Sequence, residues 1–231
     1  MTYTLHNRLG SGGFAVEATL ALADIDFAYD PIASKPSTSL DGAAAHLNPW
    51  DQVPVLVTPE GETVTETAAI LIHLVSTEEA CRAGPHLWNP NPPTFLRWSV
   101  FMGANIYEGT LRWCYPARFA EPYAADEPDA EAMNAALRAR VVSAARARNQ
   151  QAFGVLERLL ETQPFLLGDR LSACDIFLAM LHAWHRRQPE LPNCARVTER
   201  VATHALINPI WERNFGDRLR ERWQDSGPHW S

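Results

Sequence analysis

The chain has 231 residues, of which 46% are hydrophobic, 10% aromatic and 20% charged, so it can fill one large or two small domains and is too apolar to be disordered. A formal net charge of −7, with Lys35 the only lysine, argues against a nucleic-acid groove, which needs a clustered basic excess. Cys81, Cys114, Cys174 and Cys194 are scattered without metal or disulfide spacing and are expected as small core residues. There is no signal-like segment and no apolar run of transmembrane length, which predicts a cytoplasmic protein with neither nucleic acid nor membrane as partner.

In chain order, residues 2–6 alternate as a short strand, and Gly10-Ser11-Gly12-Gly13 is a tight turn. Phe14 to Ala23 is an apolar helix, Asp26 to Ile32 a second strand and Ser39 to Leu47 a short helix. Val53 to Thr58, a turn at Pro59-Glu60-Gly61, and Glu62 to Thr65 form a hairpin, and Glu66 to about Glu79 is a helix. Gly84, Pro85, Pro90, Pro92 and Pro93 make residues 82–93 a linker. The chain therefore divides into an α/β unit at 1–81 and an all-helical unit at 94–231. Helical patterns in the second unit run from Thr94 to Arg118, Asp129 to Glu161, Ser172 to Arg187, Cys194 to Ala205 and Pro209 to about Gln224. Ser172 and Asp175 have the spacing of a reciprocal capping box, a structural device worth about 1 kcal/mol at Ser172.

Two features suggest a binding site. In Asn48-Pro-Trp-Asp-Gln-Val-Pro54, proline enters a strand at Val53-Pro54, where it cannot donate to a ladder and where the cis form is accessible. The Val53 main chain would then be free to pair with an extended peptide. The second feature, Thr65-Glu66-Thr67, opens an apolar helix, whose free N–H groups and positive dipole end suit a carboxylate.

These motifs, the βαβαββα order and the Phe165 to Ala179 segment with its capping box resemble the glutathione transferase family over nearly the whole chain. The resemblance implies a thioredoxin-like N-terminal domain followed by a helical bundle, and a homodimer with Glu66-Thr67 near its interface. It also implies glutathione as co-substrate, extended along Val53, with Gln52 at the glycyl carboxylate and Glu66 and Thr67 at the γ-glutamyl end. Asp51 departs from the family pattern and would repel that glycyl carboxylate if it pointed towards it. The implied activity is attack of the glutathione thiolate on a hydrophobic electrophile.

A hydrogen-bond donor at the end of the first strand or in the following turn would lower the thiol pKa. Ser11 is the first candidate, combining a hydroxyl with the positive end of the helix, and His6 and Asn7 are the reserves. The family position of a catalytic cysteine holds Gly12 or Gly13, so a mixed-disulfide reductase is not expected. Phe14, Tyr107, Arg112 and Trp113 are the candidate electrophile pocket, with Tyr115 close by. His182 and His185 stand one helical turn apart without a third ligand, so no metal is expected. Two alternatives stay open: a glutathione-dependent isomerase or ether-cleaving lyase, and a non-catalytic protein that keeps the fold. A Gly-Ser-Gly run in place of the Ser-Ser-Cys of the maleylacetoacetate-isomerase branch weighs against the isomerase.

Overall fold

Four of the five residues of the first strand, β1 (Tyr3–Asn7), are buried, and they fall on both of its faces, which places it inside a sheet rather than at an edge. The computed structural model describes residues 2–32, 46–50, 52–77, 92–124, 127–185 and 191–216. In it β1 pairs in parallel with β2 (Phe27–Pro31) and antiparallel with β3 (Val55–Val57), which pairs with β4 (Thr63–Thr65), giving the order β2-β1-β3-β4. Helix α1 (Gly13–Leu22) crosses between β1 and β2, and α2 (Thr67–Val75) follows β4. α1 is buried almost all round because one side packs on the sheet and α2 while Phe14 meets Trp211 and Phe215 of the helical half. The predicted helix at Ser39 to Leu47 falls mostly outside the described residues.

The helical half comprises α3 (Pro92–Phe101), α4 (Glu108–Cys114), α5 (Ala130–Leu159), α6 (Ala173–Trp184), α7 (Pro192–Ala202) and α8 (Asn208–Phe215). Most of the expected linker, 82–93, lies outside the described residues, and its last two prolines already belong to α3, where proline is tolerated in the first turn. The pattern read as one helix over 94–118 is four elements. Residues Met102–Tyr107 are π-helical, α4 resumes at Glu108, and Tyr115 leaves helical geometry before a short 3₁₀ turn at Pro116–Phe119. Apolar spacings of three and four do not register the one-residue widening of a π turn.

The long α5 ends in carbonyls with no helical partner. The Arg196 guanidinium from α7 donates to Leu160 O, Gln163 O and Pro164 O and satisfies this end. The capping box at the start of α6 is formed as expected. Among the described residues no helix is long and apolar enough to cross a membrane.

Candidate active site

The turn from β1 into α1 passes through Gly10 at φ 74°, a left-handed conformation that glycine takes without a Cβ penalty. The helical half grips this residue on both sides. Asn214 Oδ1 accepts the Gly10 N–H at 2.9 Å, and Trp184 Nε1–H donates to Gly10 O at 3.1 Å. Asn214 is fully buried and its amide also donates to Ile210 O. Replacing Asn214 by Ala leaves the Gly10 N–H without its acceptor, and chemical denaturation should show a loss of about 1–3 kcal/mol.

Of the three candidate thiol activators, Ser11 stands at the head of α1. Its hydroxyl donates to Asn7 Oδ1 at 2.6 Å and accepts the Gly13 N–H at 3.3 Å. It therefore receives the first N–H of α1, whose N-cap is Gly12, and contact with a sulfur would have to replace the Asn7 bond. Asn7 is fully buried beneath the turn, where its amide packs so closely on Gly13 that a methyl group on Gly13 would collide with it. His6 pairs through Nδ1 with Asp30 Oδ2 at 2.7 Å, on the β2 side. None of the three lines the interdomain cleft.

That cleft, about 280 Å³, opens between the two halves of the chain. The expected glutathione-binding residues Gln52, Val53, Pro54, Glu66 and Thr67 all line it. The Val53–Pro54 peptide is cis, and β3 pairing begins only at Val55, so the Val53 main chain lies outside the ladder. Glu66, expected as the first helical residue, is instead the non-helical one before α2, at φ 67° and ψ 114°. A non-glycine residue in that region costs about 1–3 kcal/mol and persists where surrounding structure enforces it, often at a binding site. Thr67 at the head of α2 is 5% exposed, and its hydroxyl oxygen has no hydrogen-bond partner of good geometry.

Asn48 braces the approach to Val53 through Nδ2 to Gln52 O at 2.6 Å and Oδ1 from the Trp50 N–H at 2.9 Å. Trp50, 74% exposed, forms part of the rim, while Asp51 lies outside the described residues.

The four candidate pocket residues separate. Tyr107 lines the cleft, held edge-on by Trp184 at 5.2 Å between ring centres. Phe14 does not reach it, being wholly enclosed between Trp211 and Phe215. Trp113 is buried against His185 with the Arg146 guanidinium over its ring. Arg112 pairs with Glu108 at 3.3 Å and lines a neighbouring groove of about 420 Å³ with Arg148. Leu111, Arg118 and Phe119 take their place on the cleft wall. The kink at Tyr115 turns the last two inward, and helical periodicity carries no signal for it.

The three described cysteines behave as packing residues, and Cys81 lies outside the described residues. Cys114, Cys174 and Cys194 are buried and unpaired, and burial raises each thiol pKa, that of Cys114 to about 12. His182 bonds to Thr198 Oγ1 at 3.0 Å while His185 turns into the core, so the pair does not converge on one point. Among the described residues no three His, Cys, Asp or Glu side chains cluster to hold a metal.

Comparisons with known proteins agree with this geometry. A family model of the glutathione S-transferase N-terminal domain matches residues 14–77, and one of the glutathione S-transferase C-terminal domain matches residues 120–203. An uncharacterized GST-like protein of Escherichia coli, YncG, is 25% identical over 213 residues, covering 89% of this chain and 95% of that protein. A glutathione transferase structure from Methylococcus capsulatus has a TM-score of 0.71 at 20% identity, covering 91% of this chain and 97% of the other. A glutathione transferase homologue from Sulfitobacter with bound glutathione has a TM-score of 0.74 at 15% identity, covering 93% and 99%.

Proposed function

Because the chain belongs to the glutathione S-transferase family, we propose that it binds glutathione in the cleft between its two halves and transfers the thiolate to a hydrophobic electrophile. The observation that carries this reading is the meeting of Val53, Pro54, Glu66 and Thr67 on one cleft wall. The Val53 main chain, free of the ladder, pairs with the cysteinyl residue as a short added strand. The γ-glutamyl carboxylate sits at the head of α2, where the Thr67 hydroxyl and the helix N–H groups receive it, and Glu66 meets the α-amine. Gln52 donates to the glycyl carboxylate. The sulfur then lies near the head of α1. The thiol proton leaves to solvent, the sulfur lone pair forms the new C–S bond, and the leaving group departs with its electron pair or, in an addition, the double bond accepts the electrons. Ether cleavage is the same attack with an alkoxide leaving. The active species is a homodimer.

Calorimetry with glutathione and a pH titration of bound thiolate absorbance test this directly. Binding with a thiol pKa below the free value of about 8.5 is expected, together with conjugation of an activated aryl halide. Thr67→Val keeps the shape and removes the hydroxyl, so glutathione affinity should fall roughly 10- to 100-fold, the worth of a hydrogen bond to a charged group. Failure to bind glutathione would sink the reading.

A second reading, a glutathione-binding protein that leaves the thiol protonated, is favoured by one observation: the Ser11 hydroxyl donates to Asn7. Binding with an unshifted thiol pKa would select it.

A further inference from the structure

The head of α1 has a gap where other residues would carry a side chain, and the helical half fills it. Gly12 has ordinary right-handed helical geometry, φ −57° and ψ −20°, so its backbone does not require glycine. The space around it does. A methyl group on Gly12 would collide with Thr67 Oγ1 and would stand 2.6 Å from the Tyr107 hydroxyl and 3.1 Å from its ring. Two hydroxyl groups, one from each half of the chain, therefore converge where the N-termini of α1 and α2 meet.

Three further observations bear on what Tyr107 does there. It is the last residue of the π-helical segment, and the Glu108 N–H reaches back five residues to Gly103 O. One residue step is about 100° around a helix, so the widened turn sets where the phenol points, and such turns concentrate at functional sites. Phe177 and Trp184 box the ring in, which fixes its direction. Burial, reinforced by the Glu66 carboxylate, raises the phenol pKa to about 12 although Thr67 lowers it in part, so the group keeps its proton and is a donor at neutral pH. The Thr67 hydroxyl nonetheless remains without a bond of good geometry, which leaves it available to a ligand beside the phenol.

We infer that the Tyr107 hydroxyl, reaching from the helical half into the space left open by Gly12, is the hydrogen-bond donor to the glutathione sulfur, while the Ser11 hydroxyl stays bonded to Asn7 and the Gly13 N–H. This rests on the glutathione reading above. The thiolate would lie between the Tyr107 O–H and the N-terminus of α1. Its own proton goes to solvent and the phenol keeps its hydrogen, so no net transfer to the protein occurs. The activating group would thus come from the second domain, and the β1–α1 turn would supply the vacancy it enters.

The test is the pH titration of glutathione thiolate absorbance bound to wild type, Tyr107→Phe, Ser11→Ala and Gly12→Ala, with calorimetric affinity for each. In Tyr107→Phe the thiol pKa should climb back by about 1–2, with affinity nearly unchanged and kcat/KM at neutral pH roughly 10- to 100-fold lower. Gly12→Ala, whose backbone accepts alanine, should displace the phenol and move the pKa the same way, and the double variant should be no worse than the worse single one. Ser11→Ala should move it less. If wild type lowers the pKa and Tyr107→Phe leaves it lowered, the inference falls while the transferase reading stands. A Tyr107→Phe protein that loses affinity at unchanged thiol pKa would overturn the inference by placing the phenol on a carboxylate. Absence of glutathione binding in wild type would overturn the proposed function itself.

Discussion

Asp175→Ala should be among the most destabilising single substitutions in this chain, lowering stability by about 3–5 kcal/mol. Asp175 has no exposure to solvent and its carboxylate collects three donors: the Leu166 N–H and the Ser172 N–H, each at 2.8 Å, and the Ser172 hydroxyl at 2.6 Å. The bond to Leu166 ties the loop after α5 to the first turn of α6, so the carboxylate joins two elements as well as capping one. Alanine would strand these donors in a site that water does not reach. For a chain of this size the loss is a fall in melting temperature of roughly 6–20 °C. Ser172→Ala should cost only about 1 kcal/mol, because the Asp175 contacts to both main-chain N–H groups survive. A melting temperature within about 2 °C of wild type for Asp175→Ala would show that the network is replaceable.

The second large effect is on acid stability and comes from His185. This ring is 2% exposed, between Trp113, stacked at 5.2 Å, and Phe153, edge-on at 4.7 Å. Its Nε2 meets the Asn149 amide nitrogen at 2.8 Å and the Thr110 hydroxyl at 3.4 Å, while Nδ1 has no partner. Burial, with lesser contributions from His182 and Arg146, lowers its pKa from 6.5 to about 3. Protonation would also set an Nε2–H against the amide hydrogens of Asn149.

The folded state thus holds His185 neutral over a range in which the unfolded chain protonates it. The unfolded state binds more protons between pH 6.5 and about 3, so the contribution is intact above pH 6.5 and is lost as pH falls towards 3. The full span is worth roughly 4–5 kcal/mol. Asp175 acts in the opposite sense. Burial raises its pKa from 3.8 to about 6 against the pull of its donors, so the folded state binds the extra proton and regains stability as pH falls from 6 to 3.8. Denaturation of wild type and His185→Gln across pH 3–8 separates the two, since Asp175 is common to both. The wild-type advantage should shrink steadily below pH 6.5, and a difference that stays constant with pH would refute the assignment.

How much of this was legible beforehand follows from the range of each signal. The capping box, the proline at the head of β3 and the hydroxyl-rich start of α2 are set by residues within a few positions of one another, and all stand where the sequence puts them. The breakdown of 94–118 into four elements was not legible, because a π turn leaves apolar spacing almost unaltered. The electrophile-pocket candidates were chosen as aromatic or basic residues on the right helix, a criterion that cannot tell Tyr107 on the cleft from Trp113 packed beneath it. Phe14 faces Trp211 and Phe215, about two hundred residues away in sequence, and no local pattern announces that contact.

By itself the sequence determined the family, the α/β-then-helical order and a set of residues, Val53, Pro54, Glu66 and Thr67, that line one cleft wall. These rest on short-range chemistry: a proline without an N–H, helix termini with unpaired donors, and periods that bury one face. Tertiary structure alone decided which groups surround the proposed sulfur position. Gly12 is a vacancy only because Tyr107 and Thr67 converge on it, and Gly10 is fixed only because Asn214 and Trp184 grip it from the other half. These contacts join residues far apart in the chain, through packing that has no counterpart in local spacing.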